Sequence, residues 1–440
     1  MRKQAKLLNF LKKYGIIKIY NSYGKAGEMM SIYENLLVEE KFLDSILNYE
    51  ILQVDENVRF WMIRTKKGYF YDEFTNNNFV ALAWNIIDEK TNFSQGSIEA
   101  LKDNILLNYS EIKRPSTVIN KCKTFIHEVK KGDYIVIPSA RSECVTFAVA
   151  GEYYEEESKT YKLEKEIITR IENNDVIIND VDCPYKKRRT IKPLLTVKSS
   201  RLSGKLFKAI TNYHGISNLD DYWRNILSIL YNSYCYKNNF NIVYQINRRE
   251  PIGPRKLSQL LISTVECWCN LVDDEDKVSA QVNVASPGPV DFSIVDSWPY
   301  IMDGAKLVAG LTMGVLSAVK PDAIPGLIKN LFSLPATISR EYIAKEREKL
   351  ALEKEKEEKN SIVEEKQLNN ALKKIEILEK LKSLGVDPEK ISLSAINLTE
   401  TFDYLEIGKS NAEEIHNVPD ENFEPDELVD SEELEEEEMV

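Results

Sequence analysis

The chain has 440 residues, of which 43% are hydrophobic and 29% are charged, so it can hold two or three domains that each bury a core. The six cysteines are scattered and no apolar signal segment opens the sequence, which argues against a secreted disulfide framework and predicts a cytoplasmic protein with reduced thiols. The net charge of −12 comes from the C-terminus, because residues 420–440 carry twelve acidic and no basic residues while the rest is neutral.

Residues 1–57 carry apolar residues at helical spacing, for example Phe42, Leu43 and Ile46. The sequence therefore predicts a helical lead-in that packs on the domain after it. The alternative is a helix that binds a partner protein.

Residues 58–216 combine alternating apolar and polar positions with glycines and aromatic residues. Helices are predicted within 88–109 and over 115–130. The pattern as a whole predicts a small, closed, mixed β-barrel with one or two helices. Runs rich in aromatic and β-branched residues predict its strands at 60–64, 68–74, 79–84, 134–137 and 144–150.

Short motifs in this segment follow one another in a specific order. They are Trp-Met-Ile-Arg at 61–64, Gly68 with Tyr-Asp-Glu-Phe at 71–74, Phe-Val-Ala-Leu-Ala-Trp at 79–84, Phe-Ile-His-Glu-Val-Lys-Lys-Gly-Asp-Tyr at 125–134, Ala-Gly-Glu-Tyr-Tyr at 150–154 and Pro-Tyr-Lys-Lys-Arg-Arg at 184–189. In this order they resemble the N-terminal PUA/EVE-like module of Mrr-type restriction endonucleases, over residues 59–216. The resemblance implies a small barrel that binds DNA or RNA, in some members through a modified base. The chain departs from that family at Ala83, where the family has glycine, and no endonuclease domain follows.

The resemblance implies a ligand pocket walled by Trp61 and Trp84, because a base taken out of its stack has two faces to cover. The alternative is that both tryptophans belong to the core. Arg64 and Asp72 are predicted to contact the ligand, and an ion pair that closes the barrel is the alternative.

A basic segment follows at residues 186–208, which contain nine cations and no acidic residue. Such a run is costly by mutual repulsion unless it is solvated or matched to an anion such as polyphosphate. Tyr185 and Phe207 offer stacking faces at its ends. A solvated basic face is the alternative reading. The predicted nucleic-acid contacts are Lys186, Lys187, Arg188, Arg189, Arg201 and Lys205.

Residues 217–298 predict a small α/β domain. A helix is expected over 219–232, a strand over 240–246 and a helix over 256–271. Further strands are expected over 278–284 and 290–295.

Residues 299–338 predict an apolar helical hairpin. Neither half of 301–334 is long enough to span a bilayer, and charged residues interrupt it. Gly310 and Gly314 have the spacing that lets helices pack closely. The sequence favours a buried core helix or an oligomer core, and a membrane contact is the alternative.

Residues 339–407 predict one long charged helix over 340–384 and a short helical end. The stripe of Leu368, Leu372 and Ile375 predicts a coiled-coil-like oligomer contact near its end. Residues 408–440 predict a disordered acidic tail.

The sequence thus predicts an α+β protein that binds or senses nucleic acid without catalysis, with a C-terminal half for oligomerisation or signalling. The predicted assembly is a homo-oligomer. No catalytic residue, metal or cofactor is predicted, since Cys122 and His127 lie off a common helix face and Cys267 and Cys269 have no further zinc ligands. Restriction or phage defence is expected by association with the resembled family only. The alternatives are a membrane-acting effector triggered at the barrel and a nuclease-associated subunit.

Overall fold

The computed structural model describes residues 26–408 except 179, 212–214, 270, 272–277, 283–287, 295–300, 315, 317–320, 335–338 and 354–357. Its helices are α1 Ala26–Leu47, α2 Tyr71–Asn76, α3 Gln95–Asn108, α4 Pro115–Lys123, α5 Tyr161–Glu172, α6 Gly204–Ile210, α7 Trp223–Leu230, α8 Pro254–Cys269, α9 Met302–Ala309, α10 Ile324–Phe332, α11 Arg340–Glu353, α12 Glu358–Ser383 and α13 Pro388–Leu405. Its strands are β1 Leu52–Gln53, β2 Phe60–Ile63, β3 Phe79–Leu82, β4 Tyr134–Pro138, β5 Cys144–Glu155, β6 Lys187–Lys198, β7 Ile216–Asn218, β8 Ser233–Tyr236, β9 Asn239–Ile246, β10 Val278–Val282, β11 Gly288–Ile294 and β12 Ile407–Gly408.

The chain mixes helices and strands and divides into two compact units. The first unit comprises residues 54–231, and the second comprises residues 26–53 together with 232–408. The first unit extends beyond the predicted boundary at 216, because β7 pairs with β2 through Trp61 and Asn218. The acidic segment at 420–440 lies outside the described residues.

The first unit is built on one mixed sheet in the order β3-β6-β5-β4-β2-β7. β2 and β4 are parallel and the other neighbouring pairs are antiparallel. Shifts in the β5–β6 register, between Phe147 and Ala148 and between Ala150 and Tyr153, bend these long strands. Among the described residues the edge strands β3 and β7 do not pair with each other, so the sheet is a curled half-barrel and not the closed barrel that was predicted.

Four of the five predicted strands of this unit are confirmed, and the one over 68–74 is wrong. In its place a tight turn at Lys66–Gly68 leads into helix α2. Phe70 and Phe74 are both fully buried and lie four residues apart, which is the spacing of one helix face. A strand would also place Asp72 on the face of both rings, whereas in the structure Asp72 is exposed, as a helical turn allows.

The second unit contains a sheet in the order β1-β8-β9-β11-β10, with β12 also paired to β9. Helix α8 and strands β9, β10 and β11 confirm the predicted elements of this region. β11 pairs antiparallel with both β9 and β10. Strands β9 and β10, which precede and follow helix α8 in the sequence, therefore run parallel, as a βαβ unit requires. In the sheet, however, β11 lies between them.

The apolar segment 301–334 is core in its described part. Helix α9 continues into a wider turn at Gly310–Gly314, and both are buried. A methyl group added at Gly310 would lie 2.8 Å from the Cα of Ile46 in α1, and one at Gly314 would lie 2.7 Å from the Ser45 carbonyl oxygen. The two glycines therefore let α1 approach within the same unit. None of the helices described is both long and apolar enough to cross a bilayer.

The single helix predicted over 340–384 is wrong, because α11 and α12 lie side by side. Arg340 Nε is 2.7 Å from Glu379 Oε2, whereas one straight helix would separate these residues by about 58 Å. Ile343 of α11 packs on Ala371 and Ile375 of α12. The apolar stripe of α12 thus packs, at least in part, against another helix of the same chain.

Helix α1 belongs to the core of the second unit, in contrast to the predicted packing of residues 1–57 on the barrel. Phe42, Leu43 and Ile46 enter that core. Charged residues of α1 also pair with α12, including Glu39 with Lys374 at 2.6 Å.

Candidate functional site

Trp61 lies in β2 and is only 2% exposed. Its indole Nε1 donates to Asp133 Oδ2 at 2.8 Å. The same carboxylate accepts the backbone amides of Arg59 at 3.0 Å and Lys130 at 2.9 Å. Trp61 is therefore a core residue that fastens β2 to the turn before β4.

Trp84 follows β3 and is 6% exposed. Its φ of +66° is an uncommon left-handed conformation for a bulky side chain. With both indoles more than nine-tenths buried, neither Trp61 nor Trp84 offers an open stacking face. The structure favours the core alternative for both tryptophans.

A buried carboxylate holds this strained segment. Glu164 of α5 accepts the backbone amides of Trp84 at 2.6 Å and Asn85 at 2.8 Å, and the Tyr109 hydroxyl at 2.8 Å. Burial raises the pKa of Glu164, and the nearby Lys187 ammonium opposes that shift. Lys187 Nζ donates to the Trp84 carbonyl at 2.8 Å, so a buried acid and a buried base hold the two sides of one residue.

The structure disfavours the predicted nucleic-acid contacts of Lys187, Arg188 and Arg189, whereas for the half-buried Lys186 the contact stays a prediction. Lys187, Arg188 and Arg189 are buried in β6, an interior strand between β3 and β5. Each of the three donates to backbone carbonyl groups.

Arg188 and Lys186 each have a side-chain partner that stabilises the cation. The Arg188 guanidinium lies 4.2 Å from the centre of the Phe79 ring, which is a cation–π contact. Lys186 pairs with Glu155 at 3.1 Å and Glu157 at 3.3 Å. The compensating groups come from distant parts of the chain, so the local sequence could not show them.

The other predicted site residues are dispersed. Arg64 follows β2 and is buried, and its guanidinium donates to the carbonyl of Ile210 at the end of α6. Asp72 is exposed in the first turn of α2. Arg201 is half-buried and Lys205 is exposed.

Two left-handed turns follow the parallel strands β2 and β4. In the first, Lys66, Lys67 and Gly68 have φ values of 42°, 59° and 91°. In the second, Arg141 and Ser142 have φ values of 52° and 55°. Each such non-glycine residue costs about 1–3 kcal/mol, and strain of this kind clusters at functional sites.

The two turns are in direct contact. A methyl group added at Gly68 would lie 2.5 Å from the backbone of Ala140, and the Thr65 hydroxyl donates to the Pro138 carbonyl at 2.8 Å. Lys67 and Arg141, each next to this contact, are exposed. Because neighbouring parallel strands end at the same edge of a sheet, the turns carry two cations to one place.

The basic segment reaches the same edge. Cys144 pairs with Lys198 across β5 and β6, and the Ser199 amide donates to the Glu143 carbonyl at 2.9 Å. The hydrogen bond from Arg64 ties the end of α6 to the end of β2. We define the turn-side basic surface as the cations at this edge, namely Lys67, Arg141, Lys198, Arg201, Lys205 and Lys208.

Of the predicted contacts, only Arg201 and Lys205 belong to the turn-side basic surface. Sequence reasoning missed Lys67 and Arg141. Lys67 and Arg141 could have been predicted from the sequence, because each is a cation in a turn shortly after a predicted strand. An exposed carboxylate, Glu143, lies in the same edge region.

Cys122 and His127 lie in surroundings that do not favour a nucleophile. Cys122 is fully buried, and this burial raises the pKa of its thiol to about 11, which disfavours the thiolate. His127 packs edge-on against Phe93. Within the described part of the chain, no group of three or more His, Cys, Asp or Glu side chains is placed to hold a metal ion.

Comparison with known proteins covers only part of the first unit. No curated protein matches the chain, and no solved structure does. Residues 61–194, which include both left-handed turns and the Glu164–Lys187 pair but end before Lys198, match the family described as Domain of unknown function (DUF8426).

Proposed function

We propose that the first unit is a PUA/EVE-like module that binds nucleic acid through the turn-side basic surface, and that the chain is a non-enzymatic binding or sensing protein. The observation that carries the proposal is the pair of touching left-handed turns, which place Lys67 and Arg141 at the sheet edge where β6 ends at the exposed Lys198. Strained backbone costs stability, and anion binding at this exposed, positively charged edge accounts for its presence there.

The charge distribution supports a polyanion as the ligand. Lys198, Lys205 and Lys208 are exposed on the strand end and helix that follow the turns. Several cations spaced along one edge match a chain of phosphates, and each phosphate contact releases condensed counterions. A role in restriction or phage defence is proposed from the resemblance alone.

Charge reversal tests the proposal. Full-length wild type and the Lys67→Glu and Lys205→Glu variants are titrated with labelled oligonucleotides by fluorescence anisotropy at several salt concentrations. Each substitution should weaken binding and reduce the slope of log affinity against log salt by about 0.7–0.9.

The matched control is Lys130→Glu. Lys130 is exposed and precedes β4, whereas Arg141 follows that strand, so the control makes the same charge change at the opposite strand end. It should bind nearly as wild type does. Equal affinity of wild type and the Lys67→Glu and Lys205→Glu variants, or no binding by wild type, would refute the proposed function.

A further inference from the structure

An exposed aromatic ring lies within the turn-side basic surface. Phe207 is 39% exposed and is the one aromatic ring among the exposed large apolar side chains of the described residues. A single exposed apolar residue is ordinary in itself. Its neighbours in the sequence are Lys205 and Lys208, which are both exposed.

The packing of α6 imposes this exposure. Leu206, Ala209 and Ile210 are buried and attach one side of the helix to the core. At 100° per residue, Phe207 lies about 100° around the helix from Lys208 and about 160° from Lys205, so Lys208 is the nearer of the two exposed cations. A methyl group at Gly204 would meet nothing within 4 Å, so the outer face of α6 is open beside the ring.

We infer that the turn-side basic surface takes single-stranded nucleic acid, with a base stacked on Phe207 and phosphates on the flanking lysines. This inference rests on the proposed function and specifies its substrate class. An aromatic face among cations suits unpaired bases, whose faces are free to stack. A duplex keeps its base faces stacked inside and offers the surface mainly phosphates.

The surroundings of Phe207 do not favour a protein partner. A docking site for a protein has an apolar core of several residues, whereas Phe207 is the one large apolar side chain exposed on α6, a helix that also carries the exposed Lys205 and Lys208. Charge complementarity with a phosphate chain is the stronger match on this face.

The test compares strands and duplexes on the full-length protein. Labelled thymidine homopolymer of about twenty nucleotides and the duplex of the same length are titrated by anisotropy. Wild type should prefer the single strand. Phe207→Ala should weaken single-strand binding roughly 5- to 150-fold, the loss of one stacking face, with duplex affinity and the salt slope unchanged.

Two control variants are available. Phe207→Trp keeps a stacking face and should retain single-strand binding. Leu107→Ala removes a large apolar side chain that is 83% exposed on α3 of the same unit, and it should bind as wild type does.

The outcomes separate the inference from the proposed function. If Phe207→Ala binds the single strand as wild type does while Lys205→Glu does not, stacking is refuted and the proposed function stands. If wild type binds neither oligonucleotide, both are refuted. Binding of wild type to phosphatidylserine vesicles instead, lost in Phe207→Ala, would show that the face serves an anionic membrane and would overturn the inference.

Discussion

The carboxylate of Glu164 holds the backbone of Trp84 in a left-handed conformation, with its Oε1 atom 2.6 Å from the Trp84 amide nitrogen. The fully buried Lys187 donates to the carbonyl of the same residue at 2.8 Å. A buried acid and a buried base thus compensate each other across one strained residue. Such a pair is costly to break from one side only, because the remaining charge stays buried.

Replacement of Glu164 should therefore be severe. We expect Glu164→Ala to lower the free energy of unfolding by about 3–5 kcal/mol, as for a broken buried ion pair, measured by urea denaturation. Glu166→Ala, an exposed position on the same helix, should change it by less than about 0.5 kcal/mol.

A double variant shows whether the cost comes from the pairing. Combining Glu164→Ala with Lys187→Met should cost less than the sum of the two single substitutions. Additive losses would mean that the two residues act independently.

Trp61 gives a prediction that separates core from pocket. Trp61→Phe removes the hydrogen bond to Asp133 but keeps a ring in the core. We expect the free energy of unfolding to fall by about 1–3 kcal/mol, because a buried acceptor loses a donor. Oligonucleotide affinity should not change. Weaker binding with unchanged stability would restore Trp61 as a ligand-contacting residue.

Two glycines of the apolar segment 301–334 give a matched pair of substitutions. Gly310→Ala places a methyl group against the backbone of α1 and should destabilise the protein by about 1–3 kcal/mol. Gly326→Ala in α10, where a methyl group meets nothing within 4 Å, should stabilise it by about 0.4–1 kcal/mol. Thermal or urea unfolding distinguishes them, and equal effects would contradict the observed contact.

The interface of α1 and α12 predicts a dependence on acid pH. A hydrogen bond from Lys366, and then the charges of Lys366 and Lys373, hold the pKa of Glu40 below its ordinary value of 4.5. Since the pKa is lower in the folded state than in the unfolded state, the stabilisation is present above the unfolded value and is lost as pH falls through the folded value. Asp44 shares Lys373 at 2.6 Å.

The measurement is the free energy of unfolding as the pH is lowered from about 6 to about 3. Glu40→Gln should remove part of the decrease. Glu34→Gln, at an exposed position on the same helix, should leave it unchanged. A decrease of the same size in Glu40→Gln would show that other groups cause it.

The sequence by itself determined the elements whose signals are local. Strands β3, β4 and β5 alternate or concentrate apolar residues over four or more positions, and helix α8 has a clear helical period, so their formation could be predicted. The sequence also favoured a core position over a bilayer span for the apolar residues of 301–334, because no uninterrupted apolar run is long enough for a bilayer. Described members such as Val308 and Ile324 are buried.

Only the tertiary structure decided where the charges face. Lys187, Arg188 and Arg189 read as a cationic surface because neighbouring residues in the sequence do not neutralise them. In the fold, Lys187 and Arg189 donate to carbonyl groups of residues that are distant in the sequence, such as Trp84 and Gly151. Arg188 donates to the nearby carbonyl groups of Cys183 and Tyr185. Likewise, the contact of Arg340 with Glu379 shows that the predicted single helix is two helices side by side. Burial and pairing depend on partners far along the chain, and periodicity within one segment carries no information about them.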